Sequence, residues 1–222
     1  MMRRRSKNKH LRVDCVALHH FEELSSGDAC GNPVDYYKSA RLGDGKFSKG
    51  LAGGIAYIHT AGQANVYRKD FTIECWVKVS GGIQIDAGLR INLKSSAHTS
   101  FYYCQVGVNF AFLEEGTGKV SLLLGNSNQT DWVNSTQLLG RIPVDNQFHH
   151  FAFVGTANSF LRVFIDGTQT WSSGNFTIPV SNAANSTIYA CSNEVCVIDE
   201  LLFTHQALYT SDFIPPVAPY SI

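Results

Sequence analysis

The stretch "HHFAFVGTANSFLRVFIDGTQTW", residues 149 to 171, limits what this chain can fold into more than any other. Leu161, Val163 and Ile165 alternate with Arg162, Phe164 and Asp166. Successive side chains on a strand point to opposite faces, so a period of two signals sheet. The run stops at Asp166-Gly167 and then resumes. A type I′ hairpin turn needs φ > 0 at both central positions, and Asp-Gly supplies that cheaply. A chain carrying this unit must build antiparallel sheet.

The same period recurs along the chain. "FTIECWVKV" (71–79) sets Phe71, Ile73, Cys75, Val77 and Val79 on one face, and Thr72, Glu74, Trp76 and Lys78 on the other. Strands are also predicted in "IQIDAGLRINL" (83–93), "FYYCQVGVNFAFL" (101–113), "KVSLLLG" (119–125), "NSTIYAC" (185–191) and "VCVIDELLF" (195–203). No segment keeps a helical apolar period over three turns. Gly, Asn, Ser and Thr fill the gaps, as turns require. With 222 residues, 44% of them hydrophobic, the chain suits one large all-β domain. Many short antiparallel strands imply two stacked sheets, an antiparallel β-sandwich with apolar faces inward. On that reading Thr72, Glu74, Trp76, Lys78, Arg162 and Phe164 lie outward. The ending "DFIPPVAPYSI" holds three of the six prolines and cannot be a central strand. It is expected to run extended across the surface.

Basic and acidic residues number 18 each, but unevenly placed. Arg3, Arg4, Arg5, Lys7 and Lys9 form a basic arm, leaving 13 basic against 18 acidic residues, a formal −5, in the rest. Two readings stand for the arm: a solvated, disordered terminus, or a docking segment that orders on an acidic partner such as nucleic acid or a neighbouring subunit. The division is then a basic arm (1–12), a β-sandwich (13–210) and a proline-rich tail (211–222). The apolar run after the arm is broken by Asp14, His19 and His20, unlike a secretion signal. No run reaches the ~18 apolar residues a membrane span needs. The expectation is a soluble chain made without Sec-type export.

Six cysteines, Cys15, Cys30, Cys75, Cys104, Cys191 and Cys196, contain no C-x-x-C, and a core of this size needs no staples. Mostly free thiols are expected, with Cys75 acting as a small hydrophobe on its strand. Sequons begin at Asn128, Asn134, Asn175 and Asn185 and are read as polar loop residues.

Three segments, in order, resemble a known family. "DFTIECWVKV" is similar to the early strand of concanavalin A-like, laminin G-like jelly rolls; "NQFHHFAFVGTANSFLRVFIDGTQ" to their middle hairpin; and "VIDELLFTHQALYTSDFIPPVAP" to their closing strand and tail. "VALHHFEEL" and "GKFSKGLAGGIAYIHTAG" sit where the family has its first strand and the lead into the second. The resemblance runs from about residue 13 to residue 219. It implies a lectin-like sandwich of roughly a dozen strands. The form ending "IDEL…ALYTSDFIPPVAPY" looks most like variants from phage and bacterial surface or tail proteins.

The fold also houses glucanases, but function must be argued from the site. Retaining glucanases of this type carry two carboxylates on one strand, spaced like E-x-D-x-x-E. That pattern is missing. Glu114-Glu115 and Asp199-Glu200 are adjacent, so on regular strands they would face opposite ways. There is no G-x-S-x-G elbow, phosphate loop or dinucleotide-binding glycine pattern. The pairs His19-His20 and His149-His150 would likewise split between faces and read as structural, not as ligands to one ion. The resemblance implies Ca²⁺ as the one candidate cofactor, held where the first and last strands meet. Glu22, Glu23 and Asp28, with Asp199 beside Glu200, are the candidate ligands, although the family usually has Asp-Gly where this chain has Glu22-Glu23.

The expected function is therefore a non-catalytic structural or adhesion module of a phage virion, tail- or capsid-associated, or of another surface assembly. Its partners would be other assembly proteins and host-surface glycans, met by many weak sites summed through multivalency. Trp76, Tyr102, Trp132 and Trp171 are the candidate stacking residues. The alternative is a free-standing carbohydrate-binding lectin, with or without Ca²⁺.

Overall fold

The computed structural model describes residues 14–25, 27–60, 70–81, 88–94, 106–111, 119–125, 132–156, 160–173, 185–192 and 195–221. Among them run thirteen strands: β1 (Cys15–His19), β2 (Val34–Asp44), β3 (Lys49–His59), β4 (Phe71–Val79), β5 (Gly88–Lys94), β6 (Val106–Ala111), β7 (Lys119–Gly125), β8 (Trp132–Arg141), β9 (Phe148–Gly155), β10 (Leu161–Ile165), β11 (Thr168–Ser172), β12 (Asn185–Ser192) and β13 (Cys196–Thr204). Every pairing is antiparallel, in the order β11-β10-β9-β4-β13-β3-β12-β5-β6-β7-β8, with β1 added to β13 and β2 to β3.

Two layers share this path. One is β11-β10-β9-β4-β13 with β1; the other is β2-β3-β12-β5-β6-β7-β8. Among the described residues their strand ladders meet at one pair, Ile198 with Leu51. The physical cause lies in β13. Its register against β4 slips between Asp199 and Leu202, and Glu200 sits at φ 51°. Such a bulge bends a strand and increases its twist. The first half of β13 thus reaches β3, and the second half pairs with β1.

The inner faces meet as the alternation demands. Ile73, Cys75 and Val77 of β4, Phe151 and Phe153 of β9, and Val163 of β10 pack in one buried cluster with Ala56 and Ile58 of β3 and Ile188 and Ala190 of β12. Each fully buried side chain of this kind contributes roughly 1.5–3 kcal/mol. At the far end β8 closes on β11, where the Thr170 hydroxyl donates to the Leu139 carbonyl at 2.8 Å. A Cβ on Gly140 would press on the Ile165 and Thr170 side chains there, which would have to shift to admit it. The Asp166-Gly167 turn has φ 51° and 77°, as a type I′ hairpin requires.

One expectation fails on the first layer. Thr72, Glu74, Trp76 and Phe164 are not outward in solvent but buried. The chain itself covers this second face. The chain after β13, from Ala207 through the tail, lays Ala207, Tyr209 and Phe213 over Ala152, Val154 and Phe164, and Leu208 and Tyr220 over Leu18 and Leu202. Tyr209 and Phe213 stack at 3.5 Å. Backbone bonds fix the strap, from Phe213 N–H to the Gly167 carbonyl (2.9 Å) and from Leu208 N–H to the Thr72 hydroxyl (3.0 Å). The proline-rich ending lies outside the strands, packs on the outer side of the first layer and serves as a third layer.

The expectation of mostly free thiols meets one exception among the described residues. Cys15 and Cys30 form a disulfide, their Cα atoms 6.4 Å apart. The turn after β1 brings them together: the Asp28 carboxylate accepts from the backbone amides of Leu18 and Asn32 and from the Asn32 side chain. Cys75 and Cys196 are buried and outside the disulfide, and burial pushes the Cys75 thiol well up. Two sequons also depart from the loop expectation, since Asn134 lies within β8 and Asn185 opens β12; Asn128 and Asn175 lie outside the described residues.

Candidate functional site

The covered face holds a buried polar cluster. Glu74 on β4 and His150 on β9 are fully buried, with Glu74 Oε2 3.3 Å from His150 Nε2. The Tyr220 hydroxyl lies 3.2 Å from the same Nε2. Burial and the Glu74 charge push the Tyr209 and Tyr220 phenols up. Tyr220 N–H donates to Glu200 Oε2 (2.8 Å), and Glu200 Oε1 lies 2.7 Å from His20 Nδ1. This bond, with the charges of Glu200, Asp199 and Glu22, raises the His20 pKa despite partial burial.

The bulge overturns the regular-strand reading of Asp199-Glu200. Both carboxylates take partners from the covering layer rather than from opposite sides. Asp199 Oδ2 accepts from the amides of Lys46 (2.7 Å) and Phe47 (3.3 Å), and Glu200 binds the tail. Burial pushes the Asp199 carboxyl up to about 6. Both side chains are fully buried, as is Glu74.

The expected calcium ligands do not converge. Glu22 and Glu23 are exposed in the bend after β1. Asp28 and Asp199 are taken up by backbone amides in two different turns. Among the described residues no group of three or more His, Cys, Asp or Glu side chains is arranged to hold a metal ion. These residues do not bring together the six to eight oxygens that Ca²⁺ takes.

The histidine pairs split between partners, as strand geometry requires. His19 is buried, its Nδ1 accepting from Phe21 N–H (2.9 Å) and its Nε2 2.7 Å from the Tyr36 hydroxyl, while His20 turns to Glu200. Burial, with the neighbouring His20 charge, lowers the His19 pKa to about 4. His149 sits between Asp166 (2.7 Å) and Asp145 (3.1 Å), while His150 points into the cluster.

The expected stacking residues fare unevenly. Trp76 is 6% exposed. Lys46 Nζ sits 4.1 Å over its ring, and Phe47 and His150 meet it edge-on. It offers no ring to a ligand. Trp171 of β11 is half-buried against the core. Trp132 opens β8, but its side chain is outside what is described. Tyr102 and the basic arm, Arg3, Arg4, Arg5, Lys7 and Lys9, lie outside the described residues.

The second layer carries a different surface. Val34, Tyr36, Ala56, Ile58, Ile188 and Ala190 point into the core, so the alternate positions of β2, β3 and β12 point out. There Tyr37, Tyr57 and Tyr189 form a row across three strands. Ring centroids are 4.8 Å apart for Tyr37 and Tyr57 and 4.3 Å for Tyr57 and Tyr189, both edge-to-face. Tyr37 is 52% exposed, and the other two are partly exposed. Beside them His59 Nε2 lies 3.0 Å from Asp35 Oδ2, both in solvent. A bulge follows Tyr37, where Lys38 and Ser39 each have φ 55°, and bulges re-aim neighbouring side chains. Such a row can stack sugar rings and offers polar groups at its border. It was hidden in "VDYY", "IAYIH" and "TIYAC". The sequence signal for it is a Tyr at the outward phase of each alternation.

Comparisons with known proteins agree with the architecture. A family model described as the concanavalin A-like lectin/glucanases superfamily matches residues 52–208. Among solved structures the chain is similar to domain 4 of AbnA, an extracellular arabinanase from Geobacillus stearothermophilus, in complex with arabinotriose; identity is 21%, TM-score 0.63, covering 88% of this chain and 94% of that one. It is similar to the binding domain of Paraclostridial Mosquitocidal Protein 1 (15% identity, TM-score 0.59), covering 90% of this chain and 50% of that one. The globular domain of T. cruzi calreticulin gives 13% identity and TM-score 0.59 over 86% and 88% of the chains. The chain thus spans nearly all of the arabinanase domain but only half of the toxin domain. The curated proteins gave no match. The outward tyrosine row and the self-covered opposite face are therefore features of a chain that belongs to the concanavalin A-like lectin/glucanases superfamily.

Proposed function

We propose that this chain is a non-catalytic carbohydrate-binding module that reads glycans with the outer face of β2, β3 and β12. The observation that carries this is the inequality of the two outer faces. One is covered by the tail and by residues 45–48; the other keeps Tyr37, Tyr57, Tyr189, Asp35 and His59 toward solvent. Flat rings with polar neighbours are the usual chemistry of sugar recognition, apolar sugar faces on rings and hydroxyls on polar groups. The similar arabinanase domain was solved with arabinotriose, which supports the ligand class. The buried positions of Glu74, Asp199 and Glu200 support binding over hydrolysis, since a carboxylate pair must reach the scissile bond.

The module serves as an adhesion element of a virion or another surface assembly, where repeated copies sum weak contacts. The Cys15–Cys30 bridge supports work in an oxidising environment. The basic arm is its docking segment, and assembly proteins are its other partners.

The test is a glycan array probed with the purified chain, with Tyr57→Ala, and with a covered-face control, Lys46→Ala. Wild type and control are expected to bind the same glycans, Tyr57→Ala to lose most of the signal, and EDTA to change nothing. Equal binding by Tyr57→Ala would remove the site from this face, and no binding by any form would remove the function.

A further inference from the structure

The tyrosine row carries a carboxylate at its border. The β2–β3 ladder sets Asp35 directly opposite Tyr57, and Tyr37 and His59 are the next outward positions on the same two strands. Opposed residues share a face, with Cβ atoms about 4.5–5.5 Å apart. Asp35, Tyr37, Tyr57 and His59 therefore make one compact patch, and Tyr189 extends it from the other side of Tyr57. Tyr37 and Tyr189 meet the Tyr57 ring at 78° and 68°, so the three rings are not one flat platform. A sugar ring lies flat on one of them at a time, and its hydroxyls then project from the edge of the stack. Asp35 is the acidic group of that edge, and it is open. Its side chain is 57% exposed, and Nε2 of His59 lies 3.0 Å from Oδ2. Among the described residues no other donor bonds this carboxylate. A carboxylate offers about four acceptor positions and no donor, so one contact at Oδ2 leaves Oδ1 free to accept.

Resting on the glycan-binding reading above, we propose that Asp35, held in place by His59, is the specificity-determining residue of this face and accepts from two adjacent free hydroxyls of a sugar unit stacked on the tyrosine row. The ligand class is then an oligosaccharide whose recognised unit keeps an unsubstituted vicinal diol. Neighbouring ring hydroxyls present two donors side by side, and a carboxylate presents two acceptors side by side, in charge-assisted bonds. Deoxygenation, O-methylation or O-acetylation at either position removes a donor. The acceptor-only carboxylate has nothing to offer in exchange and loses that bond. Stacking tolerates the same changes, because the apolar face of the sugar ring is kept. The rings thus supply affinity and Asp35 supplies discrimination. His59 is a positioning residue, since its contact at Oδ2 fixes the plane in which the carboxylate meets the diol.

The experiment uses the whole chain and an array of gluco-, galacto- and manno-configured oligosaccharides. Each is presented free and with single hydroxyls of its terminal unit removed or acetylated in turn. For the best-bound free glycan, blocking either of two adjacent hydroxyls is expected to weaken wild-type binding about tenfold, the scale of one hydrogen bond to a charged group, and blocking the others much less. Asp35→Ala should bind the free glycan about tenfold more weakly and no longer distinguish it from the blocked forms. Tyr57→Ala should weaken free and blocked forms alike, so that their ratio stays. His59→Ala should shrink the ratio without abolishing it, and an unchanged ratio would overturn the part given to His59. Melting temperature checks that each variant is folded, and Asp35→Ser gives a second route if Asp35→Ala is not. Equal wild-type binding of free and blocked forms, or a preference that survives in Asp35→Ala and Asp35→Ser, overturns the inference and leaves the glycan-binding reading standing. Absence of any glycan binding by wild type overturns both.

Discussion

The hydroxyl of Tyr220, two residues from the chain end, lies 3.2 Å from Nε2 of the fully buried His150, which in turn faces Glu74 at 3.3 Å. The last turn of the tail therefore completes the polar cluster under the first layer. Tyr220→Phe leaves a buried polar group short of a partner and is expected to cost about 1–3 kcal/mol. Urea unfolding checks this; a loss within experimental error would show that the cluster does not depend on the tail.

Gly167 couples the β10–β11 hairpin to the tail. Its φ is 77°, and a Cβ there would collide with the Phe213 carbonyl. Gly167→Ala is expected to destabilise by more than about 1 kcal/mol, beyond the usual benefit of removing a glycine from the unfolded chain. Thermal melts of Gly167→Ala and Gly31→Ala make the comparison. Gly31 also has positive φ but open space around it, so its variant should suffer less.

The Cys15–Cys30 bridge closes a loop across a sequence separation of 15. Such a loop stabilises by roughly 3 kcal/mol through the unfolded chain. Reduction, or Cys15→Ser with Cys30→Ser, should lower stability by about that amount. Alkylation under denaturing conditions, with and without reductant, followed by mass spectrometry reads the pairing directly. Free thiols at both positions would contradict it.

His19 and His20 act on stability in opposite pH windows. The folded pKa of His19, about 4, lies below its ordinary 6.5. Its contribution is present above 6.5 and is lost as pH falls toward 4, about 3 kcal/mol in all. The cause is direct: a proton on Nδ1 displaces the Phe21 N–H bond. His20 has a raised pKa, so its contribution is present below 6.5 and is lost as pH rises through the folded value. Asp199, raised to about 6, behaves likewise, with its contribution complete below 3.8 and lost through 6. His19→Gln should flatten the decline between pH 6.5 and 4, while His20→Gln should flatten the decline above 6.5. Urea midpoints across pH 4 to 8 separate the two, and identical profiles would refute the assignment.

Trp76 and Tyr37 should exchange roles relative to what residue type suggests. Trp76→Ala empties a buried site and is expected to cost about 3–5 kcal/mol without changing the glycan affinity of folded protein. Tyr37→Ala, at an exposed ring, should change stability by less than about 1 kcal/mol and weaken glycan binding. Paired melts and array titrations show which ring meets the ligand.

Much of the fold was legible in the sequence. The strands at 71–79 and 119–125 have the limits that the sequence predicted, and the Asp166-Gly167 turn has its predicted conformation. These signals are local, because a period of two and a positive-φ dipeptide act within a few residues. The site was much less legible. Alternation says which residues share a face, but not whether a face meets water. The polar phase of β4 reads as surface, yet Thr72, Glu74 and Trp76 are buried because chain more than a hundred residues later, and a loop before β3, land on them. The bulge at Glu200 likewise turned Asp199 and Glu200 to one side, against the regular-strand rule. The sequence by itself determined the all-β sandwich and the phase of its strands, because side-chain period is set by local backbone geometry. Only the tertiary structure decided that the tail covers one sheet and leaves Tyr37, Tyr57 and Tyr189 on the other, because solvent exposure depends on contacts between distant parts of the chain.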